Sequence, residues 1–324
     1  LYKDLGKVVI RKPLYAYNSL FSEDGETRPL EELVIQKLDD PIFLESIYWT
    51  SQDLHEQIHR YKNNELTPEK TDRLFKSLQK YIIRSATRCT PYGIFAGCSM
   101  ADIGSKNSDA NEKSYRKARI DMGLLYQLIK VIAKNSYVIE HLSYQLNNSI
   151  YRSGKTYRYV ETLWKQSKVE YQTASIERTD LLDTLLENIK QRGHINKDEI
   201  FNMIGTDVAY DDKKNFFHDL VESQILVSEL FEALTEASPL DTIRTKLRRV
   251  SQQSPSTTDL HLRVIDTLAT TLNNINQSAL GELPTDQMYD CLNQLKTIGI
   301  EIKQEHLFHI DLWNPEKHAD QFSR

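Results

Sequence analysis

The spacing of apolar and polar positions divides the chain into helix-forming and strand-forming stretches. KVVIRKPLYAY is β-branched and aromatic and predicts a strand ending at Pro13. Residues 29–62 predict two helices, one over PLEELVIQKL and one from Leu44 to Tyr61, with Leu54, Ile58 and Tyr61 at helical spacing. The clearest helix follows. Thr67 suits its N-cap, Pro68 suits its first position, and Leu74, Phe75, Leu78 and Ile82 repeat on one face. Pro91 ends it by pushing the preceding residue out of the helical region. Residues 94–101 (IFAGCSMA) predict a buried strand, ADIGSKNSDANEKS a polar loop, and the Leu124, Leu125, Leu128, Ile129 stripe a helix after Asp121.

From about residue 142 the period changes. SIYR-SG-KTYRYV reads as a hairpin turning at Ser153-Gly154, and KVEYQTASI continues it. Thr179 caps a helix closed by Gly193. Helices at 196–204 and 211–224 and a strand, ILVSEL, complete a unit resembling a winged helix-turn-helix. Residues 251–258 (SQQSPSTT) read as a linker. Helices over 259–276 and 285–297 and a short strand, HLFHIDLWNP, finish the chain. The expectation is an α+β fold, a helical and mixed-sheet region with an embedded winged-helix-like unit. Three segments are expected, 1–139, 140–235 and 236–324.

Composition narrows the function classes. With 324 residues, 27% charged and 40% hydrophobic, the chain can bury about two domains and is not disordered as a whole. No stretch reaches the ~20 apolar residues of a membrane-spanning helix. Gly (11) is scarce, and neither GxGxxG nor GxxxxGK[ST] occurs. A net charge of -5 does not announce a nucleic-acid partner, so any such partner must use a local patch. Three cysteines without C-x-x-C spacing give neither a disulfide framework nor a zinc site, and a cytoplasmic home is the default. The chain starts without Met and shows no apolar signal-peptide region.

Two constellations carry candidate chemistry. His55-Glu56-Gln57-Ile58-His59 has the H-E-x-x-H spacing of zinc metalloproteases, two imidazoles one turn apart. It lacks a convincing third ligand, and a solvent-facing stripe beside Leu54, Ile58 and Tyr61 is the plainer reading. RSATRCTPYGIFAG, residues 84–97, is sharper. Arg84 and Arg88 are four apart and so project from one helix face, and from Arg73 to Ala101 there are five basic residues and no acidic one. Paired guanidiniums fork onto phosphate or carboxylate oxygens. Asp121 reads first as an N-cap. Asp311 ends an apolar strand and needs a partner, and Arg11, alone in an apolar strand, raises the same question. Arg11, Arg84 and Arg88 are candidate partners for the carboxylates. The third helix of the winged-helix-like unit sets two lysines against four carboxylates, which a DNA duplex would repel. Addition of a peptide strand at a sheet edge suits that unit better.

Together these pieces resemble the N-terminal, glutamylating region of class I lanthipeptide (lantibiotic) dehydratases. Arg84-Ser-Ala-Thr-Arg88-Cys-Thr90-Pro91-Tyr92-Gly93 is similar to the family's Arg-x-x-x-Arg-x-Thr-Pro-Phe-Gly pattern, with Tyr92 in place of Phe. Arg11 in VVIRKPL, Arg119-Ile120-Asp121 before a helix, and Asp311 in HLFHIDL fit its other elements in order. The resemblance implies that Arg11, Arg84, Arg88, Thr90, Asp121 and Asp311 form a glutamylation site. There glutamate would pass from glutamyl-tRNA, as co-substrate, to Ser or Thr hydroxyls of a ribosomal precursor peptide before elimination to dehydroamino acids. It implies no metal or organic cofactor and no DNA. The implied partners are the precursor's leader peptide, an elimination domain in cis or trans, a cyclase and a second copy in a homodimer. Residues from about 140 to 230 would clasp the leader by strand addition. A leader-binding module without catalysis is the alternative, and the zinc hydrolase a remote one. Complete dehydratases are much longer, so the chain is expected to be a piece, large enough to hold a peptide but too short to complete the active site.

Overall fold

A computed structural model describes residues 6–103, 114–165, 168–252 and 255–314. Most of the ADIGSKNSDANEKS loop, part of the SQQSPSTT linker and the PEKHADQFSR tail lie outside the described residues. The fold is α+β. No helix among the described residues is long and apolar enough to cross a membrane.

The chain forms two compact units. One gathers 1–124, 267–293 and 301–324, and the other 125–266 and 294–300. Their bounds differ from the three consecutive segments read in the sequence, because strands far apart in the chain share one sheet.

The first unit holds β1 (Lys7–Pro13), α1 (Leu30–Lys37), α2 (Pro41–Thr50), α3 (Gln52–Lys62), α4 (Pro68–Thr87), β2 (Ala96–Asp102) and β3 (Tyr115–Ile120). The helix expected from Leu44 to Tyr61 is two helices. Ser51 breaks it with an extended backbone, φ -158°, and its hydroxyl accepts from the Leu54 N–H at 3.4 Å. Ser and Thr favour such caps because their oxygens replace the missing helical acceptor. Thr67 does sit at the N-cap of α4, but its side chain accepts no capping bond. The core packs Phe43, Ile47, Ile58, Leu78, Ile82 and Phe95 from α2, α3, α4 and the approach to β2.

α5 (Met122–Ala133), α6 (Ser136–His141), β4 (Tyr144–Leu146), β5 (Tyr151–Ser153), β6 (Thr156–Lys165) and β7 (Lys168–Glu177) follow. β5, β6 and β7 form an antiparallel sheet in that order. Its tight turn is Gly154-Lys155, one residue later than expected, because Ser153 pairs with Thr156 and Gly154 takes φ +62°. α7 (Asp180–Arg192), α8 (Lys197–Ile204) and α9 (Tyr210–Glu222) come next, and β8 (Leu226–Ser228) returns to pair with β4. Thr179 caps α7 through the Leu182 N–H at 3.1 Å, and Gly193 closes it at φ +82°. The ILVSEL strand is only three residues long, since Glu229–Thr235 turns into a 3-10 helix.

α10 (Pro239–Ser251) was not expected from the sequence, nor were α6 and β3. α11 (Pro255–Gln277) begins four residues before the expected helix, α12 (Thr285–Thr297) matches its expected bounds, and β9 (Phe308–Trp313) is the closing strand.

Candidate functional site

The four-stranded sheet of the first unit runs β1-β2-β9-β3. β1 is antiparallel to β2, β9 is parallel to β2, and β3 is antiparallel to β9. The strands are staggered: β2 starts beside the end of β9, where Gly97 pairs with Leu312, so Arg11 stands level with Trp313 and Tyr115, whereas Asp121 follows Ile120 at the other end of β3. The segment from Arg84 to Gly93 leads into the start of β2. It is tied there by the Tyr15 N–H, which donates to the Ser85 carbonyl at 2.9 Å. Period-2 alternation then sorts the faces. Phe308, Ile310 and Leu312 of β9 are buried with Arg116, Ala118 and Ile120 of β3, while His309, Asp311, Lys117 and Arg119 face outward. Arg11 is exposed and lies opposite Cys98.

α4 ends at Thr87, and Arg88 has extended backbone, φ -113°, ψ 121°, with its N–H donating to the Arg84 carbonyl at 3.0 Å. The two arginines therefore do not project from one helix face as expected, because only Arg84 is helical. The Arg84 guanidinium lies over the Tyr92 ring, 4.5 Å from its centroid. Its Nε is buried without a hydrogen-bond partner among the described residues. Arg88 and Thr90 are exposed. Gly93 closes the turn at φ +54°, and a Cβ there would stand 3.0 Å from Thr50 Cγ2. The dihedral favours glycine, and the space beside Thr50 is tight for any side chain.

Asp121 is an N-cap. Its Oδ1 accepts from the Gly123 and Leu124 N–H groups at 2.8 and 3.2 Å, and its own N–H donates to the Leu307 carbonyl at 3.0 Å. Asp311 is half-buried and pairs with Arg119 at 3.2 Å, not with Arg11, Arg84 or Arg88 as the sequence left open. His309 Nε2 lies 3.4 Å from its other oxygen. Strand register explains both neighbours: Arg119 stands directly across from His309, one pleat from Asp311 on the same face. Sequence reasoning missed His309 and the carboxylate-bound role of Arg119. The signal was present, since His309 and Asp311 are two apart in a strand.

His55 and His59 stack edge to face with centroids 4.6 Å apart, and His55 packs on Tyr48 at 5.2 Å. Burial, then His59 and Lys62, hold the His55 imidazole down at about 4. Among the described residues no group of three or more His, Cys, Asp or Glu side chains is placed to hold a metal ion.

The architecture matches that of solved structures. The tRNA dependent lantibiotic dehydratase MibB from Microbispora sp. 107891 matches 96% of this chain with a TM-score of 0.73 at 15% identity, using 29% of its own length. The glutamylation domain TbtB from thiomuracin biosynthesis, bound to 5'-phosphodesmethylglutamycin, matches 90% of this chain and 35% of its own at a TM-score of 0.51 and 14% identity. These likenesses establish the fold. Residues 39–320 match the family model described as lantibiotic dehydratase, N terminus, and the chain belongs to that family. The subtilin biosynthesis protein SpaB of Bacillus subtilis is 29% identical over 260 residues, 72% of this chain. The chain spans about a quarter of that relative's length, 25%.

Proposed function

We propose that this chain carries the glutamylation half of lantibiotic dehydration. In this reading a Ser or Thr hydroxyl of a precursor peptide attacks the ester carbonyl of glutamyl-tRNA. A new ester bond forms to the side-chain oxygen, the bond to the tRNA 3′ ribose breaks, and the proton from the attacking hydroxyl ends on the ribose oxygen. Such a transesterification needs a proton acceptor and donors for the developing oxyanion, and needs no metal or organic cofactor. Asp121 and Asp311 are the candidate acceptors. Arg84 and Arg88 are the candidate donors to the oxyanion or to the tRNA 3′ end, and Arg11 and Thr90 are further candidates. A tRNA co-substrate places the reaction in the cytoplasm. Elimination of the glutamate belongs to a separate domain, in cis or trans.

The observation that carries this reading is topological. Six residues from four separated segments, Arg11, Arg84 with Arg88 and Thr90, Asp121 and Asp311, lie on the strands of one sheet or on segments that lead into or out of them. The family membership and the glutamylation domain named in TbtB support it. The test uses the intact natural polypeptide with glutamyl-tRNA and a precursor peptide. Arg84→Ala and Arg88→Ala are each expected to reduce the glutamyl adduct, read by mass spectrometry, about 100-fold or more, as loss of an oxyanion donor does. Unchanged adduct with both substitutions would overturn the proposal.

A second reading concerns the unit of 125–266. Among the described residues β7 pairs with a strand only on its β6 side, and Tyr171, Gln172, Thr173 and Ser175 on it are exposed. An edge of that kind accepts an extended peptide as an added strand. It supports recognition of the precursor's leader by a winged-helix-like unit, whether or not the chain catalyses by itself.

A further inference from the structure

The sheet β5-β6-β7 has two edges, and they are finished differently. β5 covers β6 only as far as the pair Tyr151 with Arg158. Beyond that point the outward backbone groups of β6 are met by side chains. The Val160 N–H donates to Ser149 Oγ at 2.9 Å, and Asn147 Nδ2 donates to the Val160 carbonyl at 3.1 Å. Two residues on, the Thr162 N–H donates to Gln224 Oε1 and Gln224 Nε2 donates to the Thr162 carbonyl, both at 3.0 Å. The Gln224 amide thus makes the donor-acceptor pair that a neighbouring strand would make. The arrangement is braced from behind. Asn147 Nδ2 also donates to the Gln224 carbonyl at 2.9 Å, and Asn147 Oδ1 accepts from Ser149 N–H and Oγ at 3.0 and 2.6 Å.

Gln224 holds this position at φ +59°, in the left-handed region where glycine or asparagine is the usual residue. A non-glycine residue kept there against steric cost points to a use for its side chain. The outer edge of β7 has no such cover from a strand among the described residues.

We propose that Asn147, Ser149 and Gln224 stand in for a missing strand along β6, closing that edge so that an arriving extended peptide pairs with β7. Unpaired edges recruit any compatible strand, including one from a second copy of the same chain. Closing one edge with side chains leaves the other as the site of pairing. This inference rests on the peptide-recognition reading above.

Gln224→Gly tests it without harming the turn, since glycine takes φ +59° freely and loses only the amide. Gln224→Asn keeps an amide but shortens the reach. Ser149→Ala frees the Val160 N–H. Each is made in the intact natural polypeptide. Amide hydrogen exchange, sedimentation, and photo-crosslinking to a synthetic leader peptide of the cognate precursor are then compared with the parent chain. In the parent, Val160 and Thr162 exchange slowly and crosslinks fall on β7. In Gln224→Gly, Thr162 exchange is expected to rise by more than about ten-fold, with thermal stability retained. Crosslinks then spread to β6, or the chain self-associates. Continued protection of Thr162, or a freed β6 edge that takes neither peptide nor a second copy, would overturn the inference. A parent chain that binds no leader overturns the peptide reading instead, and the exchange and sedimentation results still decide whether the edge is closed by side chains.

Discussion

Glu45 and Arg116 form an ion pair from which water is excluded, with neither side chain retaining any solvent exposure. Arg116 spends its remaining donors on the carbonyls of Ile275, Ser278, Ala279 and Glu282. Glu45 accepts from the Gly281 N–H at 2.6 Å and from Trp49 Nε1 at 3.0 Å. One guanidinium therefore satisfies the carbonyls at the end of α11 and ties them to β3 and α2. Glu45→Ala leaves that cation buried without its counter-charge, and is expected to cost about 3–5 kcal/mol in urea unfolding. Replacing both partners by apolar residues is not expected to restore stability, because four carbonyls lose their donor.

The Arg84–Tyr92 contact predicts how the one departure from the family pattern behaves. Tyr92→Phe keeps the ring beneath the guanidinium and is expected to leave glutamyl adduct formation unchanged. Tyr92→Ala removes the ring, releases Arg84 and is expected to lower the adduct rate by about five-fold, in line with a cation–π contact of ~1 kcal/mol. Single-turnover rates of the three proteins distinguish these outcomes. Equal loss in the Phe and Ala variants would assign the hydroxyl, not the ring, the working role.

Asp121 carries two candidate roles, and one substitution separates them. Asparagine caps helices about as well as aspartate but cannot take up a proton at neutral pH. Asp121→Asn is expected to keep the melting temperature and to abolish most adduct formation. Asp121→Ala is expected to lose about 1 kcal/mol of stability as well. Full activity in the Asn variant would reduce Asp121 to a cap.

Sequence pattern exposed the elements whose signal is local. Thr179 and Gly193 bracket α7, and the α12 bounds match, because caps and apolar spacing act over a few residues. The break at Ser51 was hidden because α2 and α3 both carry apolar residues in helical phase across it. β3 was hidden for another reason. YRKARI alternates, but its inward positions include Arg116, and a buried arginine reads as a surface residue until Glu45 and four carbonyls are seen around it. The partner of Asp311 was likewise beyond the sequence. It depends on the register of β3 against β9, strands nearly 190 residues apart, for which no local rule exists.

The His55 imidazole ties stability to pH. It stays neutral in the folded chain down to about 4, whereas an unfolded histidine titrates near its ordinary value of ~6.5. Between those values the unfolded chain binds a proton that the folded chain does not. Stability is therefore undiminished above pH ~6.5 and falls as the pH drops toward ~4. His55 is only half-buried, so solvent screening reduces the effect to roughly 1–2 kcal/mol. His55→Phe preserves the ring packed on Tyr48 and removes the titration. Its loss of stability between pH 7 and pH 4.5, measured by urea unfolding, is expected to be smaller than the parent's by about that amount. Parallel curves for the two proteins would show that the imidazole is not the group responsible.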